Sequence, residues 1–401
     1  MNILTFTSLF PNHEQPNFGV FVKHRSVALA AQPKVKLRVV APVPYFPKSL
    51  NFSFVPAHWR RMASLTESET IAGLPVEHPR YFNPPKLGMR YYADWMARGA
   101  RATVERLHRE QPIDLPLDLI DAHYVYPDGA AAVQLGAALG VPVCVSARGT
   151  DINLFSTLPH IRPLIVETLQ RAQAIIAVSA ALKNRMVELG IAAEKIAVIR
   201  NGIDAQYFYP REQVAARQKL GLPLDAKIIV TVSALVALKG IDRLIDAMPL
   251  MSKPDARLYV IGQGPERAAL QARIAQHNLT ERITLVGAKP QTELGDWYAA
   301  ADVFALASHR EGCPNVVVEA LACGTPVVAS DVGGVSELVT DDRYGFLVPA
   351  NEANAAGFAT RLQTALQKDW SQKVIAESGG ARGWDDVAKD VLAYWHSRGL
   401  L

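Results

Sequence analysis

Two carboxylates eight residues apart, Glu311 and Glu319, stand in the stretch of this 401-residue chain whose residue types best suit chemistry, ASHREGCPNVVVEALACGTPVVASDVGGVSELV over 307–339. An apolar run ends at 308 and the loop Arg310-Glu311-Gly312-Cys313 follows it. Pro314 then opens a helix at a position where its missing N–H costs nothing. That helix is expected through Val316-Val317-Val318-Glu319-Ala320-Leu321-Ala322-Cys323, stopping at Gly324. Its first turn offers unbonded backbone N–H groups and the positive end of the dipole, which suit a diphosphate. Glu319 lies more than a turn into a helix that is otherwise nearly all apolar, and a carboxylate buried there needs a polar partner. A pair of sugar or ribose hydroxyls would serve, and so would a buried arginine or a backbone N–H.

Three other residues stand out by position. His123, in AHYVYPDG, follows an apolar run at a strand end, where it either touches a ligand or is a hydrogen-bonded loop histidine. Gly19, in Phe18-Gly19-Val20-Phe21, falls in a tight loop after the first strand, where the missing Cβ lets backbone approach a diphosphate. Cys313 is either a reactive thiol or simply a small loop residue.

The elements that must hold these residues repeat one plan twice. Short β-rich runs at 2–8, 36–42, 117–123, 141–148, 172–179 and 195–201 alternate with helical stretches such as FVKHRSVALAA and GAAAVQLGAALG, the latter closed by Gly140. A second series occupies 227–235, 256–264, 282–288, 303–308, 325–330 and 345–349. Strands apolar on both faces, joined by crossover helices, make parallel doubly wound sheets. The expectation is an α/β chain of two Rossmann-like domains facing a central cleft, since such sheets bind ligands at their strand C-terminal edges. The first domain spans 1–204 and the second 205–375. The tail 376–401, with Trp384, Tyr394 and Trp395 at helical spacing, packs back on the first domain. Residues 45–66, with Arg60 and Arg61, read as a loop insertion that either borders an acceptor site or is plain surface.

Composition narrows the classes. Hydrophobic residues make up 49% of the chain and charged residues 20%, ordinary for a globular protein of two domains. Three cysteines, Cys144, Cys313 and Cys323, form neither a disulfide framework nor a metal-ligand spacing, which fits a reducing cytoplasm. The apolar start MNILTFTSLF lacks a basic leader and a cleavage site and reads as a first strand. No apolar run reaches the roughly 20 residues of a membrane span. Residues 1–200 carry 22 basic against 15 acidic side chains, while 201–401 carry 20 against 23. The basic first half suits a phosphorylated acceptor, an anionic membrane surface, nucleic acid, or merely a solvated face. No zinc spacing or RNA-binding signature supports nucleic acid.

The Glu-x7-Glu segment, the turn Cys323-Gly324-Thr325-Pro326 and the loop Asp331-Val332-Gly333-Gly334 together resemble glycosyltransferase family 4, a GT-B family. Asn201-Gly202-Ile203-Asp204, Lys239-Gly240-Ile241-Asp242 and Ile261-Gly262-Gln263-Gly264-Pro265 resemble further motifs of that family, so the likeness runs from Phe18 to Trp384. It implies a retaining transferase that takes a sugar from a nucleotide diphosphate sugar and needs neither metal nor other cofactor. Glu319 would accept the ribose hydroxyls and Glu311 would hold hydroxyls of the transferred sugar. Backbone around Gly312, Cys313, Pro314, Asn315 and Val316 would meet sugar and diphosphate, and Lys239 would neutralise the diphosphate.

The sequence departs from the family where Ser233-Ala234-Leu235 replaces a Gly-Arg-Leu triplet, so one diphosphate cation is missing or comes from Arg148, Arg200 or Arg310. It departs again at Arg148-Gly149-Thr150-Asp151, where the family often has His-Gly-x-Asp. Arg148 cannot be a general base; it binds phosphate or an anionic acceptor, or it salt-bridges Asp151. The acceptor implied is a saccharide or a lipid-linked intermediate, reached in the cytoplasm and at the inner membrane face. Rival readings are a GT-B sugar-nucleotide epimerase and a degenerate nucleotide-sugar-binding protein. A dinucleotide oxidoreductase is disfavoured, because no Gly-x-Gly-x-x-Gly follows the first strand of either half.

Overall fold

A computed structural model describes residues 1–47, 62–84, 88–109, 116–253, 255–378 and 382–401. Most of the insertion expected at 45–66, including Arg60 and Arg61, lies outside the described residues. The chain divides into two compact units, Met1–Gly202 with Trp384–Leu401, and Ile203–Gly383.

Among the described residues the first unit has ten strands: β1 Asn2–Phe6, β2 Lys36–Val40, β3 Val43–Pro44, β4 Ser68–Ile71, β5 Leu74–Glu77, β6 Arg80–Tyr81, β7 Leu119–His123, β8 Val143–Ala147, β9 Ala174–Ala177 and β10 Ile196–Val198. Eight of them form one sheet in the order β10-β9-β8-β7-β1-β2-β5-β4, and β3 pairs with β6 separately. Strands β1, β7, β8 and β9 are buried along their whole length because helices cover both faces. Leu4 lies in register between Arg38 on β2 and Ile120 on β7. The β4–β5 hairpin is antiparallel and was not expected from the sequence; its strands are short, and only Leu74 and Val76 alternate inward.

The tail helix Trp384–Ser397 completes this unit. Val387, Ala388, Val391 and Trp395 form its buried stripe, and Trp395 is fully enclosed in the core with Ile3, Val22 and Leu29. Tyr394 fastens it to the sheet edge, donating to the Lys195 carbonyl at 2.7 Å and accepting the Ile175 N–H at 3.3 Å. The division falls at Gly383 rather than at 375, because the short helix Gln372–Ser378 packs on the helix Asn315–Ala322 and stays with the second unit.

Among the described residues the second unit has six strands, β11 Ile228–Val232, β12 Arg257–Ile261, β13 Ile283–Gly287, β14 Val303–Leu306, β15 Val327–Ser330 and β16 Gly345–Val348. They run parallel in the order β13-β12-β11-β14-β15-β16. Side chains alternate between two cores: Ile228, Val230 and Val232 face one, Ile229 the other. In both sheets the strand order reverses at the middle, between β1 and β7 and between β11 and β14. Successive crossovers leave in opposite directions there, opening a crevice beyond the strand C-termini.

Candidate active site

In the second unit the loops that leave β11 and β14 meet at this switch point, and glycines allow the approach. Gly240 has φ 60°, and a Cβ on it would sit 2.1 Å from the Ala307 carbonyl oxygen. Backbone therefore lies directly against backbone, and the turn Ala237–Lys239 is pressed onto the end of β14. The His309 N–H donates to the Leu238 carbonyl at 2.9 Å and locks the contact. Lys239 Nζ then reaches Glu311 Oε1 at 2.6 Å, with Lys239 25% and Glu311 9% exposed.

The double glycine holds the Glu311 loop from its other side. Gly333 has φ 57° and would place a Cβ 2.0 Å from the Glu311 carbonyl oxygen. Next to it the Gly334 N–H donates to the Gly312 carbonyl at 3.0 Å. The helix that follows runs Asn315–Ala322, with Pro314 as the residue ahead of its first turn rather than within it. Gly312 and Pro314 are buried, while Cys313, Asn315 and Val316 are half-buried at the start of that helix. Cys313 is in no disulfide.

Glu319 is 8% exposed on this helix, and its partner is neither an arginine nor a backbone N–H. The hydroxyl of Tyr298, from the helix Gln291–Ala300, donates to Glu319 Oε2 at 2.8 Å. Burial pushes the Glu319 carboxyl up to about 7, with the Tyr298 hydrogen bond pulling the other way. Tyr298 was not singled out from the sequence, because no local spacing relates it to Glu319.

Ser233 lies where the loops after β11 and β12 abut: a Cβ on Gly262 would fall 1.8 Å from its carbonyl oxygen. Its hydroxyl donates only locally, to the Ala234 carbonyl at 3.3 Å, and Ala234 is exposed. Arg310 is exposed beside Glu311. A second cation missed from the sequence, Arg243, flanks the Lys239 turn, donating to His309 Nδ1 at 2.8 Å and to the Ala307 carbonyl at 3.3 Å.

The first unit places its expected residues differently. Gly19 caps the helix Val20–Ala30 with φ 63°, and a Cβ on it would strike the Leu9 carbonyl oxygen at 2.2 Å. The glycine is thus required by the protein's own loop. His123 does not present a nitrogen to any crevice. It is 0% exposed, its Nε2 donates to Asp121 Oδ2 at 3.1 Å, and its Nδ1 accepts from Arg148 Nη2. Burial drives the His123 pKa to about 3, Asp121 opposing, so the ring is neutral and the tautomer follows from its partners. Arg25 closes the chain from behind, bonding Asp121 at 3.0 Å and Ser146 Oγ at 2.9 Å. Burial alone would raise the Asp121 carboxyl; Arg25, His123 and Arg148 hold it below its usual value.

Arg148 itself does not salt-bridge Asp151. Asp151 instead accepts backbone N–H groups of Arg148 at 3.1 Å, Gly149 at 2.7 Å and Val125 at 2.8 Å, shaping the loop. The Arg148 guanidinium donates to Asn201 Oδ1 at 2.9 Å and lies 5.2 Å over the Phe21 ring. Burial and Arg25 lower its pKa to about 9, which keeps it charged at neutral pH. Arg200 is half-buried just beyond β10, which ends at Val198. Among the described residues no cluster of three His, Cys, Asp or Glu could hold a metal ion, and no helix is long and apolar enough to cross a membrane.

Comparison with known proteins bears on both units. Residues 212–381 match the profile "Glycosyl transferases group 1", and residues 63–207 match "Glycosyltransferase Family 4". TuaC of Bacillus subtilis, assigned as a teichuronic acid biosynthesis glycosyltransferase, is 30% identical over 90% of this chain and 89% of its own. WcaL of Escherichia coli, assigned as a colanic acid biosynthesis glycosyltransferase, is 33% identical over 63% of this chain and 62% of its own. Among solved structures, sucrose-phosphate synthase of Thermosynechococcus elongatus superposes with a TM-score of 0.76 at 20% identity, covering 99% of this chain and 98% of that one. Anabaena HepE, solved with UDP and glucose, gives 0.73 at 20% identity over 99% and 100%. At such identity the structures speak for the fold, which is GT-B. The epimerase reading gains no support from these matches.

Proposed function

The chain belongs to glycosyltransferase family 4 and is a sugar-transferring enzyme, and from that premise we propose that it moves a sugar from a nucleotide diphosphate sugar to a saccharide or lipid-linked acceptor, with retention at the anomeric carbon and without a metal ion. The observation that carries this reading is the Lys239–Glu311 pair at 2.6 Å, held where the β11 and β14 loops meet, eight residues ahead of the buried Glu319.

Each residue then has a chemical task. Glu319 accepts hydrogen bonds from the ribose hydroxyls, and Glu311 those from hydroxyls of the transferred sugar. The N–H groups around Cys313 to Val316 face sugar and diphosphate at a helix N-terminus. As the glycosidic bond breaks, negative charge grows on the leaving diphosphate, and fixed N–H dipoles with Lys239 stabilise it in place. That is the work a divalent cation does elsewhere. Arg148, Arg200 or Arg310 supplies the second cation that Ala234 does not.

The acceptor belongs to cell-surface polysaccharide synthesis, a reading supported by the names of TuaC and WcaL. The excess of basic residues in 1–200 suits an anionic acceptor and peripheral contact with an anionic membrane from the cytoplasmic side. UDP-, GDP- and ADP-sugars, each screened at about 100 times its dissociation constant, should include one that stabilises by about 2.7 kcal/mol, or roughly 5–10 °C in midpoint. No shift with any of them refutes the donor assignment. NMR of the product anomer tests retention.

A further inference from the structure

We propose that Tyr298 is a positioning residue for the donor: its hydroxyl holds one oxygen of Glu319 so that the other is oriented, before binding, to accept the ribose hydroxyls. This rests on the reading of Glu319 given above.

Tyr298 is fixed more firmly than packing requires. It is fully buried, with its ring edge-on to Phe208 at 5.9 Å and Phe304 at 5.5 Å. Its hydroxyl reaches Glu319 Oε2 at 2.8 Å, and its own carbonyl accepts the Thr325 hydroxyl at 2.8 Å. The Thr325 N–H in turn donates to the Ala320 carbonyl at 2.9 Å, at the end of the helix that carries Glu319. The tyrosine is therefore tied to that helix at two points, once through Glu319 and once through the turn that ends it. A free glutamate would have several rotamers to lose on binding; here they are already lost, which is preorganisation.

The hydrogen bond also favours the charged form of a buried carboxylate, the form that accepts best from hydroxyls. Cys323, which caps the same helix, bears electrostatically on Tyr298, and Arg211 and Asp296, themselves an ion pair, bear on its thiol. The Gln372–Ser378 helix packed on the same side brings Lys373 and Glu377, both exposed and paired with each other.

The test is calorimetric titration of UDP, GDP and ADP into wild type, Tyr298→Phe, Glu319→Gln and the double variant between pH 6 and 9. With only the ionised carboxylate competent and its pKa near 7, wild-type affinity falls about tenfold between pH 8 and pH 6. Tyr298→Phe should bind about five- to tenfold more weakly at pH 7, with the midpoint of its profile moved upward, so that the deficit narrows by pH 9. In the Glu319→Gln background the same change should add nothing. Unaltered affinity in Tyr298→Phe, or a deficit equal at every pH and undiminished in the double variant, overturns the proposal. Glu319→Gln separates the two readings. If it binds normally, the ribose assignment falls and this inference with it; if it is weakened while Tyr298→Phe is not, this inference falls alone.

Discussion

Replacing Lys239 with alanine removes the cation proposed to meet the leaving diphosphate, and it strips Glu311 of a partner at 2.6 Å. The two effects can be sized separately. A hydrogen bond between charged groups contributes about 1.5–3 kcal/mol, and the transition state gains charge that the ground state lacks, so the catalytic loss should reach about 2–4 kcal/mol. That is roughly 30- to 900-fold in kcat/KM. The stability loss should be small by comparison. Lys239 is 25% exposed, and solvent screening puts such a pair at about 1 kcal/mol or less. Steady-state kinetics and thermal unfolding of Lys239→Ala, Glu311→Gln and the double variant resolve the matter. If both side chains serve the donor, losses in kcat/KM accumulate in the double variant. If the pair is only a structural bridge, the double variant is no worse than the worse single one. A Lys239→Ala enzyme within threefold of wild-type kcat/KM would refute the diphosphate role outright. The sensitivity should be high, since Ala234, in the loop after β11, brings no cation of its own.

Glu319→Ala should raise the donor dissociation constant roughly ten- to a hundredfold, the scale of a charge-assisted hydrogen-bond pair, and unchanged affinity in a folded variant removes the ribose assignment. Turnover should persist in excess chelator; loss of activity that magnesium or manganese restores would show that Lys239 and the helix N-terminus do not suffice. Arg148→Ala should lower turnover at saturating substrates at least tenfold, about 1.4 kcal/mol. Near-normal turnover would leave Arg148 as the clamp on His123 and Asn201 that the hydrogen bonds describe, with Arg200 the next candidate. Because the Glu319 carboxyl is raised in the fold to about 7, its contribution to stability declines as pH rises from about 4.5 to 7. Glu319→Gln should flatten that decline in thermal unfolding measured across the window.

Local spacing alone was enough to determine much of this protein. Runs such as Ile228–Val232, apolar on both faces, can only be central strands of a covered parallel sheet. The eight-residue step from Glu311 to Glu319 places one carboxylate in a loop and the other on the helix after it. Gly333 was legible as a loop glycine and Gly240 only as part of a family motif, and the carbonyls they press against were not legible at all. The sequence left undecided everything carried by contacts across the sheet. Lys239 and Glu311 are 72 residues apart, yet they meet because β11 and β14 are neighbours while the chain visits β12 and β13 between them. Tyr298 reaches Glu319 from an adjacent helix, and Arg25 reaches Asp121 from 96 residues away. His123 looked like a site residue from its place at a strand end, but burial and two filled nitrogens make it part of the support. The physical reason is common to all of these. Propensity and periodicity act over one or two turns of chain, whereas the partner of a buried polar group is chosen by sheet order and helix packing, which no window of sequence contains.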